Sequence, residues 1–283
     1  MLQPFLKWAG GKRQLLSQFE PYLPILGEEN TYYEPFVGAG AMLFHLQPKR
    51  AIANDINSEL INVYNVIKSD NKTFELLIEK LKYHAEHHNK EHFYEIREWD
   101  RTEEYAKYSF IDRAARFIYL NKTCFNGLYR VNSKGQFNVP CGKYVKPDIV
   151  NEVVLRDVRK YLTDIENKIE FLNKDFKEIV NNAIKDDFIY FDPPYDPLNQ
   201  TSSFTSYASN GFGKNEQLQL REVFKELDDR GCKVLLSNSD TPFIREIYSD
   251  FEIVTVQANR AINAKGQGRG RINEILVLGK NSK

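Results

Sequence analysis

The sequence predicts an α/β fold in which a mostly parallel sheet carries helices on both faces. Three observations predict it. Short β-prone runs alternate with helical periodicity in both terminal parts of the chain. Near the N-terminus a strand, a glycine loop, a helix and a second strand succeed one another and end in a carboxylate, Asp55, the local grammar of a sheet that binds a nucleotide. Farther on, the apolar run Phe188 to Phe191 delivers another carboxylate, Asp192, at its C-terminal end, where open α/β sheets place their ligands.

In chain order, Thr31 to Phe36 has aromatic strand character and runs into Val37-Gly38-Ala39-Gly40; Ala41 to Leu46 then reads as a helix and Arg50 to Ala53 as a strand. From Ser58 to Leu120 helical periodicity dominates, in segments beginning at Ser58, Thr73 and Phe110. A loop-rich basic stretch, Lys122 to Pro147, comes next. After about Asp148 the alternation resumes: helix Val153 to Leu162, strand Lys168 to Asn173, helix Phe176 to Ile184, strand Phe188 to Asp192, helix Asn215 to Gly231, strand Lys233 to Asn238, helix Thr241 to Ser249. Two last strands, Phe251 to Ala258 and Asn273 to Gly279, make a hairpin that suits the edge of an otherwise parallel sheet. The simplest organisation is one domain built from residues 1–56 and 148–283, with residues 57–147 inserted into it.

Length and composition fit this. A chain of 283 residues allows one large domain, or one domain carrying an inserted module. Its 39 basic and 39 acidic residues cancel, so the total charge is silent about nucleic acid. The distribution is not. Lys122, Arg130, Lys134, Lys143 and Lys146 fall in an acid-free stretch, and so do Arg260, Lys265, Arg269 and Arg271. Such local positive fields hold phosphate even on a neutral protein, although solvated surface loops have the same composition. Cys124, Cys141 and Cys232 are far apart and form no CxxC pair, so neither a disulfide framework nor a zinc site is expected. The first residues lack the apolar core of a signal peptide, and no run of about 18 apolar residues occurs; the expected setting is cytoplasmic, away from membrane.

The strongest chemical signal is Asp192-Pro193-Pro194-Tyr195. Two prolines fix the backbone and donate no hydrogen bond, leaving the Asp192 carboxylate and the Pro193 carbonyl as acceptors beside an aromatic plate, Tyr195. That set suits an amino group on a flat ring: its protons point at two oxygens while the ring stacks on the phenol. Two accepted hydrogen bonds would also offset the positive charge that develops on such a nitrogen as it attacks an electrophile. Glu34-Pro35-Phe36-Val37-Gly38-Ala39-Gly40 offers glycines where a ligand can approach the backbone, and Asp55 stands where a carboxylate takes a ribose diol. An Asn-Asp turn that caps the next helix explains Asp55 as well. The N-terminal Lys7-Trp8-Ala9-Gly10-Gly11-Lys12-Arg13 is superficially like a P-loop but lacks its spacing, its strand and its Ser/Thr. Phe125 to Pro140 interleaves aromatics, amides and cations, as a ribbon lying in a DNA groove does and as an ordinary surface hairpin also does.

Taken in order, KWAGGKR, EPFVGAG, ANDIN, FNGLYRVNSKGQFNVP and FDPPY resemble the Dam family of DNA adenine-N6 methyltransferases over nearly the whole chain, most nearly its DpnM-like members from restriction–modification systems. The resemblance implies a seven-stranded AdoMet-dependent methyltransferase sheet, spanning residues 1–56 and 148–283. It implies a mainly helical target-recognition domain with a basic loop or hairpin in residues 57–147. It further implies S-adenosylmethionine as cofactor, double-stranded DNA as partner, and N6 methylation of adenine within 5′-GATC-3′. Residue by residue, Trp8, Lys12, Asp55 and Asp192 match cofactor-contacting positions; Glu34, Pro35, Phe36, Gly38 and Gly40 form the loop beside the cofactor; Asp175 and Phe176 match the position that meets its adenine. Leu128 and Arg130 match guanine-reading positions, Phe125 and Asn126 positions that support opened DNA, and Pro140 a position near the target bases, with Asn132 in the same stretch. Phe125 stands where some members have Tyr, and Asp196 to Gln217 matches poorly.

In the expected reaction the target adenine is flipped out, stacks on Tyr195, and presents N6 to Asp192 and the Pro193 carbonyl, with Asp192 acting as acceptor rather than as a base. No metal and no obligate protein partner is implied. The Ser/Thr-rich segment Asn199 to Gly213 is expected to act as a lid. An N4-cytosine methyltransferase, an RNA adenine methyltransferase and a non-catalytic DNA-binding module are the competing readings, separable by product analysis, nucleic-acid competition and a methyl-transfer assay.

Overall fold

A computed structural model describes residues 2–8, 10–198, 212–259 and 271–282, without the side chains of residues 259 and 271. Seven strands form its sheet: β1 Tyr32–Glu34, β2 Arg50–Asn54, β3 Lys168–Leu172, β4 Phe188–Phe191, β5 Lys233–Ser239, β6 Glu252–Asn259 and β7 Arg271–Leu278. Their order is β3-β2-β1-β4-β5-β7-β6. β1 pairs in parallel with β2 and β4, and β4 with β5; β7 runs antiparallel to both β5 and β6. The expected α/β class and the antiparallel hairpin at the edge are both present. The hairpin enters in reverse order, with the last strand inside and β6 outermost. Patterning accounts for this: Ile275, Leu276, Val277 and Leu278 are all buried, whereas β6 keeps exposed residues at Glu252, Thr255 and Gln257. A continuous apolar run needs cover on both faces and an alternating one tolerates an edge.

The chain divides into two compact units, residues 1–11, 38–47 and 57–173 in one, and residues 12–37, 48–56 and 174–283 in the other. The second unit holds every strand except β3. Pairing of Tyr32 with Phe188 and of Phe188 with Lys233 sets the C-terminal ends of β1, β4 and β5 side by side. Phe188 to Phe191 are all buried, so the chain leaves a rigid strand at Asp192.

In the first unit the helices Ser58–Lys68, Asn71–Glu86, Lys90–Glu98 and Phe110–Thr123 begin at side-chain caps, Asn57, Asp70, Asn89 and Ser109. Each cap accepts from a backbone N–H of the first turn that has no partner inside the helix. The Phe110–Thr123 helix packs against the other three and is buried from Ala114 onward. The Lys90–Glu98 helix was not expected, because only Phe93 and Ile96 mark an apolar face in KEHFYEIRE. Conversely, the helix expected from Phe176 to Ile184 stops at Ile179, ahead of the poor helix formers Asn181 and Asn182.

The unit boundary also differs from the one drawn at residues 57 and 147. Residues 1–11, 38–47 and 148–173 cluster with the helices. Arg156, on the helix Glu152–Leu162, grips Glu75 through both terminal nitrogens at 2.7 and 2.9 Å, and Arg159 donates to the Ile67 carbonyl at 2.8 Å.

Candidate active site

Asp192 comes directly after β4 and is met by a cation and a hydroxyl. Lys12 Nζ, from a 3-10 turn at Lys12–Gln14, lies 2.8 Å from Asp192 Oδ1, and Ser237 Oγ of β5 donates to the same oxygen at 3.0 Å. The Tyr190 hydroxyl is 2.9 Å from Ser237 Oγ behind it. Lys12 is only 4% exposed and Asp192 21%. Among the described residues nothing donates to Oδ2, which leaves that oxygen for a ligand. Burial holds the Asp192 carboxyl above the usual carboxylate range, with Lys12 and the Ser237 hydrogen bond pulling the other way. The surface read from sequence as acceptors alone therefore contains a lysine.

Tyr195 is held at two points. Its hydroxyl donates to Glu274 Oε2 on β7 at 2.7 Å, and Lys12 Nζ stands 4.5 Å from its ring centroid. Burial, reinforced by the Asp192 and Glu274 carboxylates, raises the phenol well above its ordinary pKa, so it remains a donor. The backbone after the two prolines is fixed by a chain of amides and hydroxyls. Gln217 Nε2 donates to the Pro194 carbonyl at 2.9 Å, Asn238 Nδ2 to Gln217 Oε1 at 3.1 Å, and the Asp196 N–H to Asn238 Oδ1 at 3.1 Å. Ser239 donates to the Asp196 carbonyl and Thr241 to its carboxylate. A loop tied this way presents its polar groups already oriented. Ser237, Glu274, Gln217 and Asn238 were not anticipated. A faint signal exists in Ser237-Asn238-Ser239, a polar triplet closing an apolar strand.

Around the ends of β1 and β2, Asn54 is the joint. Its side chain donates to the carbonyls of Pro35 at 3.0 Å and Lys174 at 3.1 Å and accepts from Lys174 N, while its own carbonyl accepts from Val37 N. This sets Glu34, Pro35 and Phe36 against the segment that carries Asp175 and Phe176. Phe36 lies 5.4 Å from Phe176, 6.4 Å from Phe191 and edge-on to Phe212 at 5.6 Å. Glu34 is buried and Asp55 half-buried. Asp175 is exposed and uses Oδ1 to cap the short Phe176–Ile179 helix through Lys177 N at 2.9 Å.

In the first unit, Lys7 and Trp8 are clipped down by Asn121, a buried residue the motifs did not flag. Asn121 accepts from Lys7 N at 2.9 Å and donates to the carbonyls of Lys7 at 2.7 Å and Gly127 at 3.2 Å. Trp8 stacks on Phe117 at 6.4 Å and on Tyr129 at 5.8 Å. Gly38, at φ +48°, would drive a β-carbon to within 2.8 Å of the Trp8 indole nitrogen, and one on Gly40, at φ +71°, would meet Phe44 and Tyr64. The close approaches at both glycines are thus to the protein's own rings. Tyr64 donates to the Gly38 carbonyl at 2.8 Å.

The stretch from Phe125 to Pro140 contains a small hairpin bridged at Val131 and Phe137, and Cys124 and Cys141 pair just outside the stretch. Phe125 is 48% exposed, and Asn126 beside it takes a left-handed φ of +56°. Leu128 is half-buried, and the Pro140 carbonyl accepts from Phe125 N at 2.9 Å. Arg130 is exposed; its Nε donates to Asn138 Oδ1 at 2.7 Å. Asn132 differs. Its Oδ1 accepts from Lys134 N and Gln136 N and its Nδ2 donates to Gln136 Oε1, so its amide is committed to the turn. Behind the hairpin, Asp100 accepts from Phe137 N at 2.8 Å and pairs with Arg116 at 2.7 Å.

Of the expected lid, Asn199 to Gly213, residues 199–211 lie outside the described residues, as do the basic residues Arg260, Lys265 and Arg269 and the side chain of Arg271. Among the described residues no set of three His, Cys, Asp or Glu is arranged to hold a metal ion, and no helix is long and apolar enough to cross a membrane.

Comparison with known proteins agrees with this chemistry. A family model described as D12 class N6 adenine-specific DNA methyltransferase matches residues 8–262. A type II methyltransferase of Lactococcus lactis subsp. cremoris is 47% identical over 98% of this chain and 95% of its own length. One from Methanocaldococcus jannaschii is 44% identical over 98% and 99%. A DNA adenine methylase of Vibrio cholerae is 37% identical over 97% and 95%.

Proposed function

The chain belongs to the D12 class N6 adenine-specific DNA methyltransferases, and we propose that it takes its methyl group from S-adenosylmethionine and places it on adenine within 5′-GATC-3′ of double-stranded DNA. The observation that carries this reading is Asp192, with Oδ1 fixed by Lys12 and Ser237 and no donor to Oδ2 among the described residues, next to the ring of Tyr195, whose hydroxyl bonds Glu274.

The donor set fits the cofactor. Half-buried Asp55 suits a ribose diol, Phe36 and Phe176 offer an apolar edge to an adenine, and exposed Asp175 suits its amino group. Glu34, Pro35, Lys12 and Asp192 complete the set in the second unit. S-adenosylmethionine, when bound, supplies an electrophilic methyl on a sulfonium with its own leaving group. The chain's residues do the rest. Asp192 Oδ2 and the Pro193 carbonyl accept the two amino protons of a flipped adenine, Tyr195 supports the ring, and Lys12 keeps the carboxylate ionised and oriented. As positive charge develops on N6, the carboxylate is already in place to offset it.

On the DNA side, Asn138 occupies Arg130 Nε and leaves the terminal guanidinium nitrogens for guanine O6 and N7. Phe125 and Asn126 support the opened duplex, with Leu128 and Pro140 against the bases. Residues 57–147 act as the target-recognition region.

The test is incubation with methyl-labelled S-adenosylmethionine and a plasmid, then base-resolved mapping of N6-methyladenine. Label on adenine at GATC supports the full reading. Label at another motif overturns the target, and absence of label overturns the donor.

A further inference from the structure

Glu274 has no place in the motifs, yet it sits where a carboxylate is costly. β7 runs between β5 and β6, with Glu274 opposite Ser239 on one side and Val256 on the other. The four residues after it are buried and apolar. Burial pushes its carboxyl above the ordinary glutamate range, against the pull of Lys12 and of the Tyr195 hydrogen bond. An apolar residue would be cheaper for the fold at that register.

The 2.7 Å bond from the Tyr195 hydroxyl gives the carboxylate its purpose. Residues 193 and 194 are prolines, so the backbone ahead of Tyr195 is stiff, but a stiff backbone does not by itself set the direction of the Tyr195 side chain. Lys12 lies against the ring without a directional bond. The hydroxyl lies on the ring's long axis, so a bond to it sets where that axis points, and Glu274 supplies that bond from a strand paired on both edges. Being 79 residues away in sequence, the two share no motif.

We propose that Glu274 is a positioning residue for methyl transfer: it fixes the Tyr195 ring, through the phenolic hydroxyl, as the platform for the target adenine. This rests on reading Tyr195 as that platform. It requires an acceptor at residue 274, not specifically a charge, because Gln Oε1 accepts from a phenol as a carboxylate does.

The experiment compares Glu274→Ala, Glu274→Gln, Tyr195→Phe and the Ala/Phe double variant in single-turnover methyl transfer on a duplex carrying the target. DNA Kd is measured alongside. A platform displaced by about 1 Å costs on the order of 100-fold, so Glu274→Ala and Tyr195→Phe should each slow transfer roughly 10- to 100-fold. DNA Kd should stay within about threefold, and Glu274→Gln should recover most of the rate. The double variant should be no slower than the slower single variant, since both remove the same bond. A general structural role for Glu274 predicts additive losses instead, and additive losses overturn the proposal. So does a Glu274→Ala rate within about twofold of the parent. If Glu274→Ala does not fold, Tyr195→Phe and Glu274→Gln decide: an unimpaired Tyr195→Phe, or a Glu274→Gln as slow as Tyr195→Phe, overturns it. Tyr195→Ala separates the two levels. Full activity there refutes the platform itself; collapse there with an unimpaired Glu274→Ala withdraws only the role of Glu274.

Discussion

Each unit buries a cluster of titratable side chains, and the two clusters resolve that burial in opposite ways. At Asp192 a buried lysine stands 2.8 Å from the carboxylate, a second carboxylate lies beyond at Glu274, and one Asp192 oxygen has no donor among the described residues. In the helical unit, His84 Nδ1 lies 3.0 Å from His92 Nε2, and both rings pack against Tyr119, with Trp99 beyond His84. There burial pushes His84 down to about 4 and lowers His92 as well, against the pull of Glu95 3.8 Å from His92 Nδ1, so burial works to hold the pair neutral. Both environments disfavour charge. Only at Asp192 is charge retained by a counter-ion, with hydrogen-bonding capacity to spare. Burial of a polar group alone therefore marks no site; a compensated charge with an unused acceptor does.

The largest effect expected is at Asp192. Asp192→Ala should slow methyl transfer by roughly 100- to 1,000-fold or more while the protein still folds, measured as labelled-methyl incorporation beside a melting curve. Near-normal turnover would erase the contrast between the clusters.

His84 comes next, and its signature is in stability rather than rate. Its folded pKa is depressed from 6.5 to about 4, so the stabilisation is complete above the unfolded value and is lost as pH falls from about 6.5 toward 4. At about 1.4 kcal/mol per pKa unit the loss reaches roughly 3 kcal/mol. Urea midpoints across that window should fall for the parent and fall less for His84→Gln.

Lys12 tests the other cluster's counter-ion. Activity should decline on acidification at a pH above the ordinary aspartate range of about 4, because burial raises Asp192 and protonation removes the acceptor. Lys12→Met removes the charge that opposes this rise, so its acid limb should move to higher pH. A limb that moves lower would refute the ion pair's role.

The smallest effects concern two neighbours in the hairpin. Arg130→Ala should erode preference among guanine-substituted targets by about 1–3 kcal/mol. Asn132→Ala should leave that preference intact and cost about 1 kcal/mol of stability, since its amide closes the turn. Competition assays on substituted duplexes and denaturant melts separate the two.

Much of the fold was legible from periodicity. β4 and β5 are short apolar runs, the helix caps are Asn, Asp and Ser at helix starts, and all seven strands lie where alternation and apolar runs put them. Where local signal failed, the cause is identifiable. The Lys90–Glu98 helix has too narrow an apolar face, and Asn181-Asn182 ends a helix that hydrophobic spacing alone would continue. Gly38 and Gly40 were readable as positions needing glycine, but not as seats for Trp8, Phe44 and Tyr64.

By itself the sequence determined the sheet, the proline-stiffened exit from β4 and the residue types at its end, because strand propensity, proline geometry and glycine tolerance act within a few residues. Only the tertiary structure decided that Lys12 pairs with Asp192, that Asn121 clips Lys7, and that Glu274 holds Tyr195. Those partners meet through packing across more than 70 residues of chain, and the energy of a buried charge depends on which group packing places beside it.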